Sequence, residues 1–144
     1  MICCQEKEDT MREAKLGCAF KVDLELPYEE ALERVKAALK EEGFGVLTEV
    51  DVRATMKEKL GLDFHAYTII GACNPSLSHR ALDSDLEAGL VLPCNVVVHE
   101  EGERSVVMIA DPVGMMGSLG KPVLDEVAQE ARERLARVAI ALGN

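Results

Sequence analysis

The sequence predicts an α+β fold: a five-stranded antiparallel sheet with two long helices on one face and a short helical insertion. Five segments of strand length have alternating or wholly apolar residues, and two longer segments repeat apolar residues at helical spacing. The late strands are joined by short connections, which favour antiparallel pairing. Because two amphipathic helices must bury their apolar stripes, we expect both to cover one face of the sheet. The predicted architecture is a two-layer sandwich of order β-α-β4-α.

The first strand and the first helix have the clearest patterns. Apolar and charged residues alternate over residues 19–26, as in a half-buried strand. Pro27 is expected at the first position of the following helix, acidic residues fill the first turn, and Gly43 ends it. The helix has one apolar stripe, formed by Tyr28, Ala31, Leu32, Val35, Ala38 and Leu39.

The segment after this helix is partly ambiguous. A second strand is predicted over residues 44–50. Residues 52–60 fit both strand alternation and helical spacing. We interpret them as a short helix that follows a strand end near Asp51 and runs to Leu60.

Three further strands are predicted, over residues 66–72, 90–99 and 105–110. The second of these is apolar on both faces, which predicts a central position in the sheet. A short helix over residues 76–82 follows Asn74-Pro75, and the segment from Ser84 to Glu87 has the spacing of a capping box.

The last part of the chain is predicted to be a loop followed by a long helix. Residues 111–120 are rich in Gly and Met, which favours a loop in which Met115 and Met116 cover the core. We expect the helix to begin at Pro122 and to end at Gly143. Its acidic residues come first and its arginines follow, which suits the helix dipole.

The whole chain is predicted to contain a flexible tail over residues 1–18, with an alternative start at Met11, and one domain over residues 19–143.

Composition excludes several classes of function. The chain has 144 residues with a net charge of −10 and 3% aromatic residues, which argues against nucleic acid as a partner. No apolar run is long enough for a membrane span, and no signal-peptide core is present. Five cysteines without a CxxC motif do not form a disulfide framework. These features predict a cytoplasmic protein with no membrane partner and no cofactor.

The candidate site rests on a near-duplication of Cys-Asn beside proline. The two copies are Cys73-Asn74-Pro75, at a predicted strand end, and Pro93-Cys94-Asn95. A cysteine before a helix N-terminus can be activated as a thiolate, so Cys73 is the stronger functional candidate. The candidate binding residues are Cys73, Asn74, Pro75, His79, Cys94 and Asn95. The more common role of a free cysteine, and the one we favour for both thiols, is that of a small buried apolar group.

Metal and phosphate sites have weaker support. Cys73, His79 and Cys94 could ligate a metal, but their spacing matches no known signature, and we predict no metal site. The segment before Pro122 lacks the residues of a P-loop, although Lys121 beside a helix N-terminus could attract an anion. No motif identifies a reaction, so the sequence does not decide whether the protein is an enzyme, and no catalytic residue is assigned.

Four segments together resemble the DUF302 family: residues 43–52, 71–75, 89–95 and Asp111-Pro112. The resemblance runs in order from about Phe20 to Leu142. It implies a small α+β domain with a TBP-like antiparallel sheet, and a homodimer, since members of the family have been seen as dimers. It implies no function, because the family has no established activity or catalytic residue.

Three hypotheses follow. The leading one is a homodimeric cytoplasmic binding or interaction domain that holds a small molecule or an anion near the strand ends at Cys73 and Cys94. The alternative is a thiol enzyme or redox sensor in which Cys73 acts with His79 as base. The third is an assembly protein whose exposed sheet face packs against a second copy.

Overall fold

A computed structural model describes residues 11–14 and 17–143 of the chain, and the side chains of residues 19–143. Within these residues, six strands form one antiparallel sheet in the order β1-β2-β6-β5-β4-β3. The strands are β1 (Met11–Ala14), β2 (Gly17–Leu24), β3 (Gly45–Asp51), β4 (Tyr67–Cys73), β5 (Cys94–Glu101) and β6 (Arg104–Ala110).

In the part of the chain that the structure describes, five α-helices and two short 3-10 helices connect or follow these strands. The α-helices are α1 (Tyr28–Glu41), α2 (Val52–Leu60), α3 (Pro75–Ser84), α4 (Pro112–Gly117) and α5 (Asp125–Gly143). The 3-10 helices span Leu86–Val91 and Pro122–Leu124. Within the described residues, no helix is both long enough and apolar enough to cross a bilayer.

The core lies between one face of the sheet and the two long helices, α1 and α5. Alternate residues of the strands, such as Val22, Ile70 and Ile109, are fully buried against the helical stripes. Leu39 of α1 and Leu135 of α5 are fully buried in the same cluster. The predicted two-layer α+β sandwich is confirmed. Alternate residues of the strands are buried on one face of the sheet, and the apolar stripes of α1 and α5 pack against that face.

The five predicted strands are all present, and a sixth was not predicted. Strand β1 pairs with β2 at the edge of the sheet, within the segment expected to be a tail. The sequence Met-Arg-Glu-Ala has too little alternation to indicate a strand by itself, so its pairing depends on the neighbouring edge of β2. Residues 1–10, 15 and 16 of the expected tail lie outside the described residues.

Two predictions for the second half of the chain were wrong. The fourth predicted strand does not begin at Leu90, because that residue belongs to a 3-10 helix and is 79% exposed. Strand β5 starts at Cys94, after a cis Leu92-Pro93 peptide bond. Residues 112–117 form helix α4 instead of a loop, with Pro112 at its first position.

Some helix ends also differ from the predictions: the last helix, α5, begins at Asp125 and not at Pro122. Pro27 is the N-cap of α1 and not its first helical residue. Asp85, and not Ser84, caps the following 3-10 helix, because its carboxylate accepts a hydrogen bond from Glu87 N. The hydroxyl of Ser84 instead donates to Arg80 O within α3.

Candidate functional site

A cavity of about 130 Å³ lies at the end of the sheet where β5 begins and β6 ends. The 3-10 helix before Pro93 forms one wall, and α4 forms another. Ten residues line the cavity: Leu90, Val91, Leu92, Pro93, Cys94, Asn95, Ala110, Pro112, Met115 and Met116. All but Asn95 are apolar or contain sulfur, so no lining side chain carries a carboxylate, an ammonium or a guanidinium group.

Helix α4 places two methionines over the end of the sheet. Asp111 caps the helix, because its Oδ1 accepts a hydrogen bond from Val113 N at 2.9 Å. Pro112 follows at the first helical position, where its missing N–H costs nothing. Met116 is 6% exposed and Met115 is 43% exposed, so one closes the core while the other reaches the surface.

Cys94 contributes the thiol in the cavity lining. It lines the 130 Å³ cavity and also a smaller void of about 20 Å³, shared with Leu92 and Met116, on the core side. Burial raises the pKa of the Cys94 thiol to about 11, and the nearby Cys73 thiol adds to the rise. Cys94 is therefore a neutral thiol at pH 7.

Cys73 is close to Cys94 in the fold but does not line the cavity. In the β4–β5 register Cys94 lies opposite Ala72, so Cys73 is offset by one residue. Ser78 of α3, which the Cys73 thiol contacts, lines the smaller void together with Cys94. Both thiols are free, and Cys73 Sγ lies 3.1 Å from Ser78 Oγ in α3.

The two asparagines of the Cys-Asn pairs have different environments. Asn74 is 8% exposed and caps α3, accepting a hydrogen bond from Leu77 N at 3.2 Å. Its side chain faces Gly43, whose φ of +84° ends α1. Asn95 is exposed and lines the cavity beside Cys94.

The remaining candidate residues lie elsewhere. Pro75 is an exposed residue at the first position of α3. His79 lines a separate surface groove that also includes Arg80, Asp83 and Glu126. The structure therefore brings together Cys94 and Asn95 and leaves His79 outside the cavity.

Lys121, which was considered as an anion contact, already has two carboxylate partners. Its Nζ lies 3.2 Å from Asp85 and 3.4 Å from Glu87. Both carboxylates raise the Lys121 pKa by hydrogen bonding to the ammonium group. An anion at this position would have to compete with them.

Sequence reasoning missed most of the cavity wall. Ala110, Pro112 and residues 90–92 were not candidates, and the two adjacent methionines were interpreted only as a cover for the core. The signal that could have identified α4 is Asp111-Pro112, a capping residue followed by the proline preferred at the first helical position. Among the described residues, no three His, Cys, Asp or Glu side chains are grouped as metal ligands.

Comparison with known proteins identifies the family of the chain and a solved structure similar to it. The family model described as a domain of unknown function, DUF302, matches residues 20–142. The crystal structure of an uncharacterised conserved DUF302 protein from Bacillus stearothermophilus is 34% identical in sequence, with a TM-score of 0.79. The match covers 86% of this chain and 97% of that one. No curated protein matches the chain.

Proposed function

The chain belongs to the DUF302 family, whose function is unknown, and we propose that it is a binding domain whose cavity at Cys94 holds a small ligand. The observation that carries this proposal is the cavity itself. It is lined by apolar and sulfur-containing side chains, and Asn95 supplies an exposed amide. A few precisely placed polar groups in an apolar wall are typical of ligand sites.

The size of the cavity limits the ligand. Drug-sized molecules occupy pockets of roughly 300–1,000 Å³. The volume of about 130 Å³ is smaller, so the ligand has only a few heavy atoms within the protein. A nucleotide or a large organic cofactor would have to lie mostly outside.

Xenon tests whether the cavity is open to a small apolar guest in solution. We expect xenon under pressure to shift the NMR signals of the Met115 and Met116 ε-methyl groups in the wild-type protein. Ala110→Leu fills the cavity and should abolish these shifts. Ala141→Leu, which adds the same three carbons at an exposed position on α5, should preserve them.

An absence of xenon-induced shifts in the wild-type protein would contradict the proposed cavity. A native mass spectrum of the protein isolated from cells then identifies what the cavity retains. We expect an added mass on the wild-type chain and on Ala141→Leu, and none on Ala110→Leu.

A second proposal concerns the sheet face that points away from α1 and α5, which we propose pairs with the same face of a second copy. Three half-buried apolar residues form a row across it, because Val97 lies opposite both Ile69 and Met108. In the next row the rings of Tyr67 and His99 stack with centroids 5.6 Å apart. An apolar surface of this kind supports association, and a twofold axis would place it against itself.

Sedimentation tests this pairing. We expect a dimer for the wild-type chain and a monomer for Val97→Glu, because burying an unpaired carboxylate opposes association. Lys40→Glu, an exposed change on α1, should remain dimeric. A wild-type chain that stays monomeric at high concentration would exclude the dimer.

The cytoplasm is the compartment we propose, because free thiols such as those of Cys73 and Cys94 persist in reducing surroundings. A thiol enzyme based on Cys73 has less support. Its sulfur contacts Ser78, while His79, the base considered for it, lines another groove.

A further inference from the structure

We propose that the cavity binds a single Cu(I) ion through the sulfur atoms of Cys94, Met115 and Met116. The inference rests on the proposed function, because the ion would occupy the same cavity. All three side chains line that cavity, one from the start of β5 and two from α4. Thiolate and thioether are the soft ligands that select Cu(I).

The rest of the lining excludes harder metal ions. It contains no carboxylate and no imidazole, and its only other polar side chain is that of Asn95. Zn²⁺, Mg²⁺ and Ca²⁺ prefer nitrogen and oxygen ligands or several thiolates. In this cavity, one thiol and one amide are the polar side-chain groups that such ions could bind.

Charge balance favours a monovalent ion. When Cu(I) binds, the S–H bond breaks, the proton leaves to solvent and an S–Cu bond forms, while copper remains in the +1 state. The site thus stays neutral, whereas a divalent ion would leave one uncompensated positive charge among apolar side chains.

Both methionines belong to α4, and contacts with other parts of the chain fix the position of this helix. Asp111 caps α4, and Arg132 of α5 pairs with the same carboxylate. Met116 is almost fully buried, whereas Met115 is partly exposed. Met115 therefore provides a route by which the ion enters from solvent or from a carrier.

The test is an anaerobic Cu(I) titration against the chromophoric competitor bathocuproine disulfonate. The full chain carries Cys3→Ser, Cys4→Ser and Cys18→Ser, so that Cys73 and Cys94 are the only thiols. We expect one Cu(I) per chain in this parent, and loss of binding in Cys94→Ser. Met115→Leu and Met116→Leu should each weaken binding at least about tenfold, because each removes a ligand while nearly preserving side-chain volume.

Two matched controls define the ligand set. Cys73→Ser and Met108→Leu lie outside the cavity lining and should bind as the parent does. Parent-like binding by both Met115→Leu and Met116→Leu would overturn the proposal. A loss in Cys73→Ser as large as that in Cys94→Ser would also overturn it, because the site would then be a pair of thiols.

Ag(I), a monovalent soft ion without redox chemistry, gives a second readout. Its binding should shift the ε-methyl NMR signals of Met115 and Met116 and leave those of Met56 and Met108 in place. Shifts spread over all four signals would contradict a defined site. If xenon enters the cavity but neither ion binds there, the proposed binding function survives and the copper inference fails; if xenon does not enter, the cavity itself is refuted.

Discussion

Arg132 of α5 pairs with Asp111, a residue without exposed surface, through an Nε–Oδ2 distance of 3.1 Å. The same guanidinium lies over the Phe20 ring, 5.9 Å from its centroid. Because Asp111 also caps α4, this pair connects the longest helix of the protein to the short helix that bears Met115 and Met116. The geometry of the cavity therefore depends on an ion pair that lies beside it and not in its lining.

Replacing Asp111 tests that dependence. We expect Asp111→Ala to lower the free energy of unfolding by roughly 3 kcal/mol, because it removes both the helix cap and the buried partner of Arg132. Asp111→Asn keeps a cap acceptor and should cost less than Asp111→Ala. Urea denaturation measures both, and the exposed change Asp83→Ala serves as control. Equal losses in the Ala and Asn variants would show that the cap contributes nothing.

The protonation of Asp111 should make the free energy of unfolding depend on pH. Burial raises its pKa above the ordinary value of 3.8, although the Val113 amide and the charge of Arg132 oppose the rise. The folded chain then binds the proton more tightly than the unfolded chain, so the contribution to stability is full below pH 3.8 and is lost as pH rises through the folded pKa.

The measurement is the difference in unfolding free energy between the wild-type protein and Asp111→Asn, followed upwards from about pH 3.5. Since Asn does not titrate, other carboxylates cancel in this difference. We expect wild-type stability to fall relative to the variant as pH increases over this range. A relative gain in wild-type stability would mean that Arg132 outweighs burial and that the folded pKa is lowered.

The thiol of Cys94 should react slowly with iodoacetamide at neutral pH, because the thiolate is the reactive form and burial raises the pKa to about 11. Peptide mapping by mass spectrometry would follow its alkylation rate in the folded protein. The midpoint of that rate should lie near the folded pKa, and the same cysteine in urea should titrate about two units lower. A midpoint near about 8.5 in the folded protein would contradict a buried thiol.

Periodicity in the sequence was sufficient for the elements that contact the core directly. Phe20, Val22 and Leu24 alternate with polar residues, and β2 buries all three. The stripe of α1 likewise contains its buried residues Ala31 and Leu39. Each of these elements buries one face, and the spacing of its apolar residues in the sequence matches that face.

The spacing of apolar residues led to wrong predictions where those residues do not face the core. Leu90 belongs to an apolar run but is 79% exposed in a 3-10 helix, and Pro93 has no N–H to contribute to a strand ladder. Helix α4 has only six residues, and its two glycines, Gly114 and Gly117, resemble those of a loop. Such short elements are stabilised by tertiary contacts that local sequence does not encode.

Of the candidate residues predicted from the sequence, the cavity lining contains Cys94 and Asn95. The repeated Cys-Asn pairs directed attention to the two strand ends, but they did not decide whether Cys73 and Cys94 lie close together. The one-residue offset that separates Cys73 from Cys94 depends on the register of β4 and β5, which the sequence does not specify at their ends. The methionines come from a part of the chain that pattern analysis assigned to a loop.

Gly71 offers a final test, of the close packing between the cavity wall and its neighbouring strands. A β-carbon at Gly71 would overlap Thr48 Oγ1 of β3 and lie 2.8 Å from Pro93 Cγ. We expect Gly71→Ala to lower the free energy of unfolding by roughly 1–3 kcal/mol, as overpacking does. Gly45→Ala, in a strand position where nothing lies within 4 Å of the added carbon, should have little effect.

A double-mutant cycle assigns the cost to the contact. Thr48→Ala removes the hydroxyl, and the remaining Thr48 β-carbon lies 3.6 Å from the carbon added at Gly71, an ordinary contact. Gly71→Ala combined with Thr48→Ala should therefore recover part of the lost stability, while Thr48→Val, which keeps an atom at the γ position, should not. The remaining deficit measures the clash with Pro93. If Gly71→Ala combined with Thr48→Ala recovers all of the lost stability, Pro93 moves without cost to make room for the added carbon. The cavity wall would then also be able to move when a ligand binds.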